Sequence, residues 1–500
     1  MDLLIVFSVV IISIISIYFY IKWKFSFWER RGIPSLPVAF PYGNFKGVGK
    51  TKHIKDVLHE IYATFKDKAP IAGAYLAFSS NFAVVLDLDL IKNILIKDFN
   101  NFHDRRHFYN ERDDFMSANL LTMQGQEWRE LRQVLTPTFT SAKMKFMFST
   151  ISEISERLIK KLDEDLDQNP IVDIKDYLAR FTTDIIGTCA FGIECNSLKD
   201  ANCEFRVYSK RAFLQPRHSR FFIYLCAEFP EIARALHVKL FRDDITEFFT
   251  RLIKGTITYR EKNDIHRNDF IDLLLRLKTN NPNKEDGKLT VKQIIAQSLL
   301  FFLAGFETSS STSGFALYEL AFNPDIQEKA RTEINRIFKA HNNQITYEGL
   351  MEMQYLDQII NETLRKYSIV PRLVRYTQEN YPLPNSNFVI EKGTKVYIPT
   401  YSIHNDPDIY PNPDIFDPSR FDPEEVNKRH PMAFLGFGTG PRNCIGARFG
   451  QMQTRMGLAT LIRNFEIKPC SKTPKPLRYH PNMELVSSAN DIYLELRRIL

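Results

Sequence analysis

The chain has few cysteines for its length. Six are spread through 500 residues, none at Cys-x-x-Cys spacing, and no His-x-His pair accompanies them. Zinc held at the usual ligand spacing is thereby excluded. No Gly-x-Gly-x-x-Gly follows a strand-like run, so the chain carries no dinucleotide-binding unit, and any electrons it uses must come from elsewhere. Gly47-Val-Gly-Lys-Thr51 resembles the end of a phosphate loop, but Asn44 stands where its first glycine belongs and no strand precedes it. The net charge is +7, yet the basic residues are scattered, which excludes the massed patch that a nucleic-acid partner requires. There is no internal repeat, low-complexity tract or second linker. Length alone would allow two or three domains; the even pattern favours one large mixed domain.

Hydrophobic residues make up 44% and charged residues 25%, with 40 phenylalanines that hint at aromatic interior surface. The chain can build a sizeable core without staples. Leu3 to Ile21 is free of charge and holds only three serines. As a helix it would span roughly 28 Å, about a bilayer's hydrocarbon thickness. Lys22, Lys24, Arg30 and Arg31 follow it and only Asp2 precedes it, a bias that keeps the following flank in the cytosol. A cleaved signal would carry its positive charge ahead of a shorter run. Residues 1–21 therefore read as a signal-anchor and 22–45, with Pro34, Pro37 and Pro41, as a stiff neck. Residues 46–500 form the body. In a reducing cytosol five of the six cysteines are inert small hydrophobes.

The fold class expected is predominantly α with small β-sheets. Ala74 to Phe78 and Phe82 to Leu86 read as a hairpin around Ser79-Ser80-Asn81. From about 120 to 370 the pattern is mostly helical, broken at 280–287. Thr290 and Gln293 have capping-box spacing before a long apolar run to about Leu320. A second hairpin is predicted from Phe388–Ile390 and Val396–Ile398, and the last strands from Leu485-Val486 and Ile492–Leu496. Asn361-Glu-Thr363 has the glycosylation pattern but falls within a helix on the cytosolic side, so it is discounted.

Phe437-Gly-Thr-Gly-Pro-Arg-Asn-Cys444-Ile-Gly446 is the most specific segment. A thiolate held against iron needs donors around its sulfur, and glycines let backbone N–H groups turn towards it. Arg442 can reach a haem propionate and Phe437 can exclude water beside the sulfur. The helix beginning at Arg448 would bring its N-terminus towards Cys444. Haem-thiolate ligation fits these residues better than zinc.

The loop resembles the ligand loop of the cytochrome P-450 family. Four further segments resemble that family in the same order: Trp128-x-x-x-Arg132, Ala304-Gly-Phe-Glu-Thr308, Glu362-x-x-Arg365 and Pro418-Ser-Arg420-Phe421. The resemblance implies the P-450 fold behind an N-terminal transmembrane helix, with haem b bound through Cys444. It implies a monooxygenase in which Ala304 and Gly305 leave room at the iron while Thr308 and Glu307 deliver protons. It implies propionate contacts from Trp128, Arg132, Arg375 and Arg442, with Arg105 or Arg106 as a further candidate. Glu362, Arg365 and Arg420 would form a buried ionic triad. After Arg365 the chain departs from the family's Tyr-Pro-Pro-like turn, its proline displaced to Pro371, so the adjoining loop is expected to differ in shape.

Arg31-Gly-Ile-Pro34, Phe139-Thr-Ser-Ala-Lys-Met144 and the stretch from Cys189 to Cys195-Asn-Ser resemble the insect microsomal members that oxidise xenobiotics. That likeness implies an endoplasmic reticulum protein acting on small apolar substrates such as plant toxins or insecticides. Hormones and fatty acids stay open as alternatives. NADPH–cytochrome P-450 reductase is the expected donor, docking near the cysteine loop and the helix with Arg129 and Arg132; cytochrome b5 is a second. The rivals are a reductase-independent haem-thiolate isomerase, which needs no Glu307-Thr308 pair, and a haem-binding sensor. Candidate pocket residues are Tyr109–Leu121, Phe213, Phe301-Phe302, Ile369-Val370 and Ser487–Ala489. Phe221–Leu225 fits either membrane contact or core packing.

Overall fold

The computed structural model describes residues 2–76, 81–267, 269–278, 289–384 and 386–499. Its longest element is the central helix Val291–Phe322. The expected capping box opens it: Thr290 Oγ1 accepts from Gln293 N at 3.3 Å and Thr290 N donates to Gln293 Oε1 at 3.1 Å. Two orphan donors of the first turn are satisfied this way. The helix is apolar on nearly all sides and is correspondingly buried among helices. It packs along Ile174–Phe191 and along Ala447–Asn464, the helix that follows the cysteine loop. This mainly helical core, which also takes in Val172, Phe465, Ile467, Leu494 and Leu496 of a small sheet, is the largest in the described residues.

The second core lies under a four-stranded sheet and the helix Ile54–Phe65. The strands are β1 Ile71–Tyr75, β2 Asn81–Val85, β3 Ile171–Asp173, β4 Leu373–Tyr376, β5 Tyr381–Pro382, β6 Val389–Ile390, β7 Lys395–Ile398, β8 Phe465–Pro469 and β9 Tyr493–Arg498. The four-stranded sheet has the order β1-β2-β7-β4, with β2 and β7 parallel and the other pairs antiparallel. A second sheet orders β3-β9-β8, and β5 pairs with β6 alone. The chain is thus mainly helical with small sheets, as its patterning implies. The first hairpin forms, with Ile71 opposite Val85; Phe78 and the turn residues Ser79-Ser80 lie outside the described residues, as does the break at 280–287.

Two strand expectations are corrected. Val389-Ile390 and Lys395–Ile398 do not pair with each other. The short first run is taken by Tyr381-Pro382, while β7 inserts between β2 and β4, where both of its edges find partners. Leu485-Val486 is not a strand: Val486 N donates to Ile369 O, and the strands that pair with β9 are Ile171–Asp173 and Phe465–Pro469.

The N-terminal helix runs Asp2–Lys24, is long and apolar enough to cross a membrane, and leaves its apolar side chains from Ile5 to Tyr20 exposed. The following segment is docked on β1. Trp28 is buried, its indole N–H donates to Ala74 O at 3.2 Å, and its backbone N–H donates to the Tyr75 hydroxyl at 2.9 Å. Gly73 makes the room, since a Cβ there would stand 2.1 Å from the indole. Gly73 N donates to Pro34 O, and Asn44 Oδ1 accepts from Tyr75 N.

Candidate active site

Between the two cores lies a cavity of about 660 Å³. Cys444 opens onto it. The residue is enclosed by protein, so its exposed surface belongs to the cavity, as does that of Ala304 on the opposite wall. Gly438 and Gly440 both take positive φ in the loop, and a Cβ on Gly440 would stand 2.0 Å from the Leu95 carbonyl oxygen. This turn lets Cys444 N donate to Phe437 O at 2.9 Å and directs Gly446 N at the sulfur. Burial pushes the Cys444 thiol up, while that N–H and the Arg132 and Arg105 guanidiniums pull it back down.

Five arginines line the same cavity: Arg372, which is paired with Glu484, and a group formed by Arg105, Arg132, Arg375 and Arg442. Arg442 donates to the carbonyls of His103, Leu120 and Met123 and stacks 3.7 Å above the Trp128 ring. Trp128 enters the site as that aromatic face. Arg132 bonds Asn443 through its carbonyl and its Oδ1, and Arg105 donates to Arg442 O at 2.9 Å. Arg106 turns away, its guanidinium 5.0 Å from the Tyr376 ring, so of the two candidates it is Arg105 that reaches the cavity. Anions are scarce here: among the described residues the one ion pair in this group is Arg442 with Asp104 at 3.7 Å. Burial and mutual repulsion pull Arg442 down to about 8, Arg375 to about 9 and Arg105 to about 10. These are buried cations short of counter-charge.

On the central helix, Ala304, Gly305 and Thr308 face the cavity. Thr308 Oγ1 donates to Ala304 O at 2.6 Å. The missing Cβ of Gly305 makes room for Ile186, whose Cδ1 would stand 2.5 Å away. Gln453, from the helix after the cysteine, donates to Gly305 O at 2.9 Å and to Ser309 Oγ at 2.6 Å, tying the two walls together. Glu307 lies outside the lining and accepts hydrogen bonds from Ser311 at 3.2 Å and Ser487 at 2.9 Å.

Behind the cysteine loop, Arg365 Nε and Nη2 donate to both Glu362 oxygens at 2.7 and 2.8 Å, with neither side chain accessible. Arg420 stands 3.5 Å from Glu362 as an ion pair, and the third donor to Glu362 is Asp417 N at 3.0 Å. Arg365 also donates to His404 O and Pro413 O. His404 then accepts from Leu435 N at 2.8 Å, at the entrance to the cysteine loop. His404, Asp104 and Gln453 escaped sequence reasoning because each acts through a partner more than thirty residues away. Among the pocket candidates, Ser117, Asn119, Leu120, Leu121, Phe213, Phe301, Ile369 and Val370 line the cavity. Phe302 does not, being packed among Phe191, Phe205 and Phe249. From the C-terminal loop it is Glu484 and Leu485, rather than Ser487–Ala489, that reach it. Ser368 takes a left-handed φ of 44° in the departing turn and hydrogen-bonds His404 at 2.7 Å.

The family described as Cytochrome P450 matches residues 34–496. The chain belongs to the cytochrome P450 family. It is 48% identical over 470 residues to "Probable cytochrome P450 6a18" of Drosophila melanogaster, covering 93% of this chain and 92% of that protein. It is 45% identical over 495 residues to "Cytochrome P450 6A1" of Musca domestica, covering 98% and 97%. "Cytochrome P450 6a8" of Drosophila melanogaster matches at 45% over 502 residues, 99% of each. The protein is therefore a P450 monooxygenase, and the family's cofactor is haem bound through a thiolate.

The residues present fit that group. A P450 haem brings two propionates, and its cysteine ligand is a thiolate. The two propionates supply negative charge beside an arginine cluster that is short of it. Arg105, Arg132, Arg375 and Arg442 would hold the propionates, and Cys444 Sγ, flanked by Gly446 N, would hold the iron. Bound haem supplies the centre at which dioxygen is activated and one oxygen atom passes to substrate.

Proposed function

We propose that this P450 oxidises apolar organic molecules, foremost xenobiotics such as plant toxins or insecticides, at the cytosolic face of the endoplasmic reticulum. Electrons come from NADPH through NADPH–cytochrome P450 reductase, with cytochrome b5 as a second donor. The observation that carries this reading is the character of the cavity above Cys444. Its lining includes Phe213, Phe241, Leu300, Phe301, Ile369 and Leu485, a surface that rewards apolar area removed from water. The exposed apolar helix Asp2–Lys24, followed by Lys and Arg, supports residues 1–21 as a membrane anchor and 22–45 as the link to a catalytic body of 46–500. In this reading Thr308 and Glu307 deliver protons during oxygen activation, Glu307 by way of water, because its carboxylate is held at the edge of the site by Ser311 and Ser487. Glu362, Arg365 and Arg420 hold the back of the cysteine loop.

The test is titration of the full-length ferric haem protein with apolar xenobiotics, fatty acids and insect hormones, following the Soret band. A low-to-high-spin shift with the xenobiotics, with product formed only when reductase and NADPH are present, supports the proposal. A shift confined to fatty acids or hormones makes the role endogenous. Product without reductase returns the isomerase reading, and haem bound equally well by Cys444→Ala removes the ligand assignment.

A further inference from the structure

Apart from the arginine cluster, the cavity wall carries one carboxylate, ion-paired with Arg372 and Arg220. Among the described residues Glu484 is the only carboxylate lining it. The side chain is enclosed by protein and yet 52% open, so the open half faces the cavity. Three partners fix its orientation. Arg372 Nη2 donates to Oε2 at 2.6 Å, the Tyr224 hydroxyl donates to Oε1 at 3.3 Å, and Arg220 Nη1 stands 3.4 Å from Oε1. A carboxylate offers about four acceptor sites, so one stays free towards the cavity. Arg372 is almost wholly covered, its cavity-side Nη2 already shared between Glu484 and Tyr224. Burial would raise the Glu484 acid, but Arg372 and Arg220 outweigh it and hold it down to about 2. It is therefore an acceptor only. The neighbouring His107 lines the cavity too. Burial, reinforced by Arg105, pulls it down to about 4, so it brings no charge to satisfy Glu484.

We propose that Glu484 is a specificity-determining residue that accepts a hydrogen bond from a hydroxyl or N–H group on an otherwise apolar substrate. This deepens the proposed function and rests on it. A donor-bearing ligand regains at Glu484 the hydrogen bond that it gives up in water. An ether or hydrocarbon of the same shape leaves the carboxylate facing apolar surface, and an anionic ligand meets a like charge. Discrimination is strongest where a buried polar group would otherwise go unpaired.

Soret titrations of the full-length haem protein with 1-dodecanol, 1-methoxyundecane and dodecanoate test this. Wild type is expected to bind the alcohol about tenfold more tightly than the ether, the worth of one hydrogen bond to a charged group. Glu484→Ala is expected to bring that ratio near one, with the haem content of wild type. Glu484→Gln, which keeps an acceptor and Arg372's partner, is expected to retain part of the preference and to gain affinity for dodecanoate; it stands in if the alanine variant fails to load haem. Equal binding of alcohol and ether by wild type, or an unchanged ratio in both variants, overturns the assignment while leaving apolar oxidation standing. If none of the three moves the band while hormones do, the apolar-substrate reading fails and this proposal fails with it.

Discussion

Glu362 and Arg365 are three residues apart on the helix Gln354–Tyr367 and wholly buried. Taking two charges out of water is costly, and their attraction does little more than offset it. Removing one partner is a different matter, because the other charge stays behind unpaired, at about 3–5 kcal/mol. Both Glu362→Gln and Glu362→Ala are therefore expected to lose most bound haem, read as the Soret-to-protein absorbance ratio; full haem occupancy in either would show the pair to be dispensable. His404 makes a second point at this scale. Its Nε2 accepts from a backbone N–H, so the proton sits on Nδ1 towards Ser368, and burial with Arg365 nearby pulls its pKa down to about 3. An unfolded histidine titrates near 6.5. Between those values the unfolded chain takes up a proton that the folded chain refuses, so stability falls as pH drops below about 6.5, by up to about 1.4 kcal/mol per pH unit. His53 and His107, each pulled down to about 4, act with the same sign. Denaturant midpoints measured from pH 7 to pH 5 should decline less steeply in His404→Gln than in wild type. Parallel declines would mean that His404 is accessible to protons in the fold.

At the scale of elements, the cysteine loop depends on its glycines for different reasons. Gly438 has positive φ, and a Cβ there would meet its neighbours, Asn443 and Leu373, only at ordinary van der Waals distances of 3.8–3.9 Å, so Gly438→Ala meets only the left-handed backbone penalty of about 1–2 kcal/mol. Gly440 has positive φ and the Leu95 carbonyl where a Cβ would be. Gly440→Ala must displace the helical turn Asn93–Lys97 or unmake the loop. Haem content after expression should fall several-fold in Gly440→Ala and far less in Gly438→Ala; similar losses would leave the close approach without consequence. The loop and the central helix were legible in the sequence because their signals are local: glycine and cysteine at fixed spacing, Thr290 with Gln293, a long apolar-periodic run. The pairing of Val389-Ile390 was not, since two short apolar runs beside a turn suit a hairpin equally well, and only the proximity of β2 and β4 draws β7 away.

Across the whole molecule, the N-terminal helix and the body are separable in a way the buried Trp28 makes specific. Deleting residues 2–24 removes the exposed apolar helix and leaves Trp28 in the groove over Gly73. That variant is expected to shift from the membrane pellet towards the soluble fraction with an unchanged Soret spectrum. Deletion through residue 34 also strips Trp28 and Ile33 from the sheet's core and should lower stability by about 3–5 kcal/mol, the range for losing a buried Trp. A short deletion that abolishes haem binding would show the anchor helix to be part of the body's fold. By itself the sequence determined the family, the helical class, the thiol loop and the apolar N-terminus, since each is written in adjacent residues whose spacing carries its own physical meaning. Tertiary structure alone decided which arginine of Arg105 and Arg106 reaches the cavity, that Glu307 is held by Ser487, that His404 braces the cysteine loop and that Glu484 places a carboxylate acceptor on the cavity wall. Those outcomes depend on chain segments separated by up to several hundred residues, and burial and hydrogen-bond partners at such range have no local periodicity to betray them.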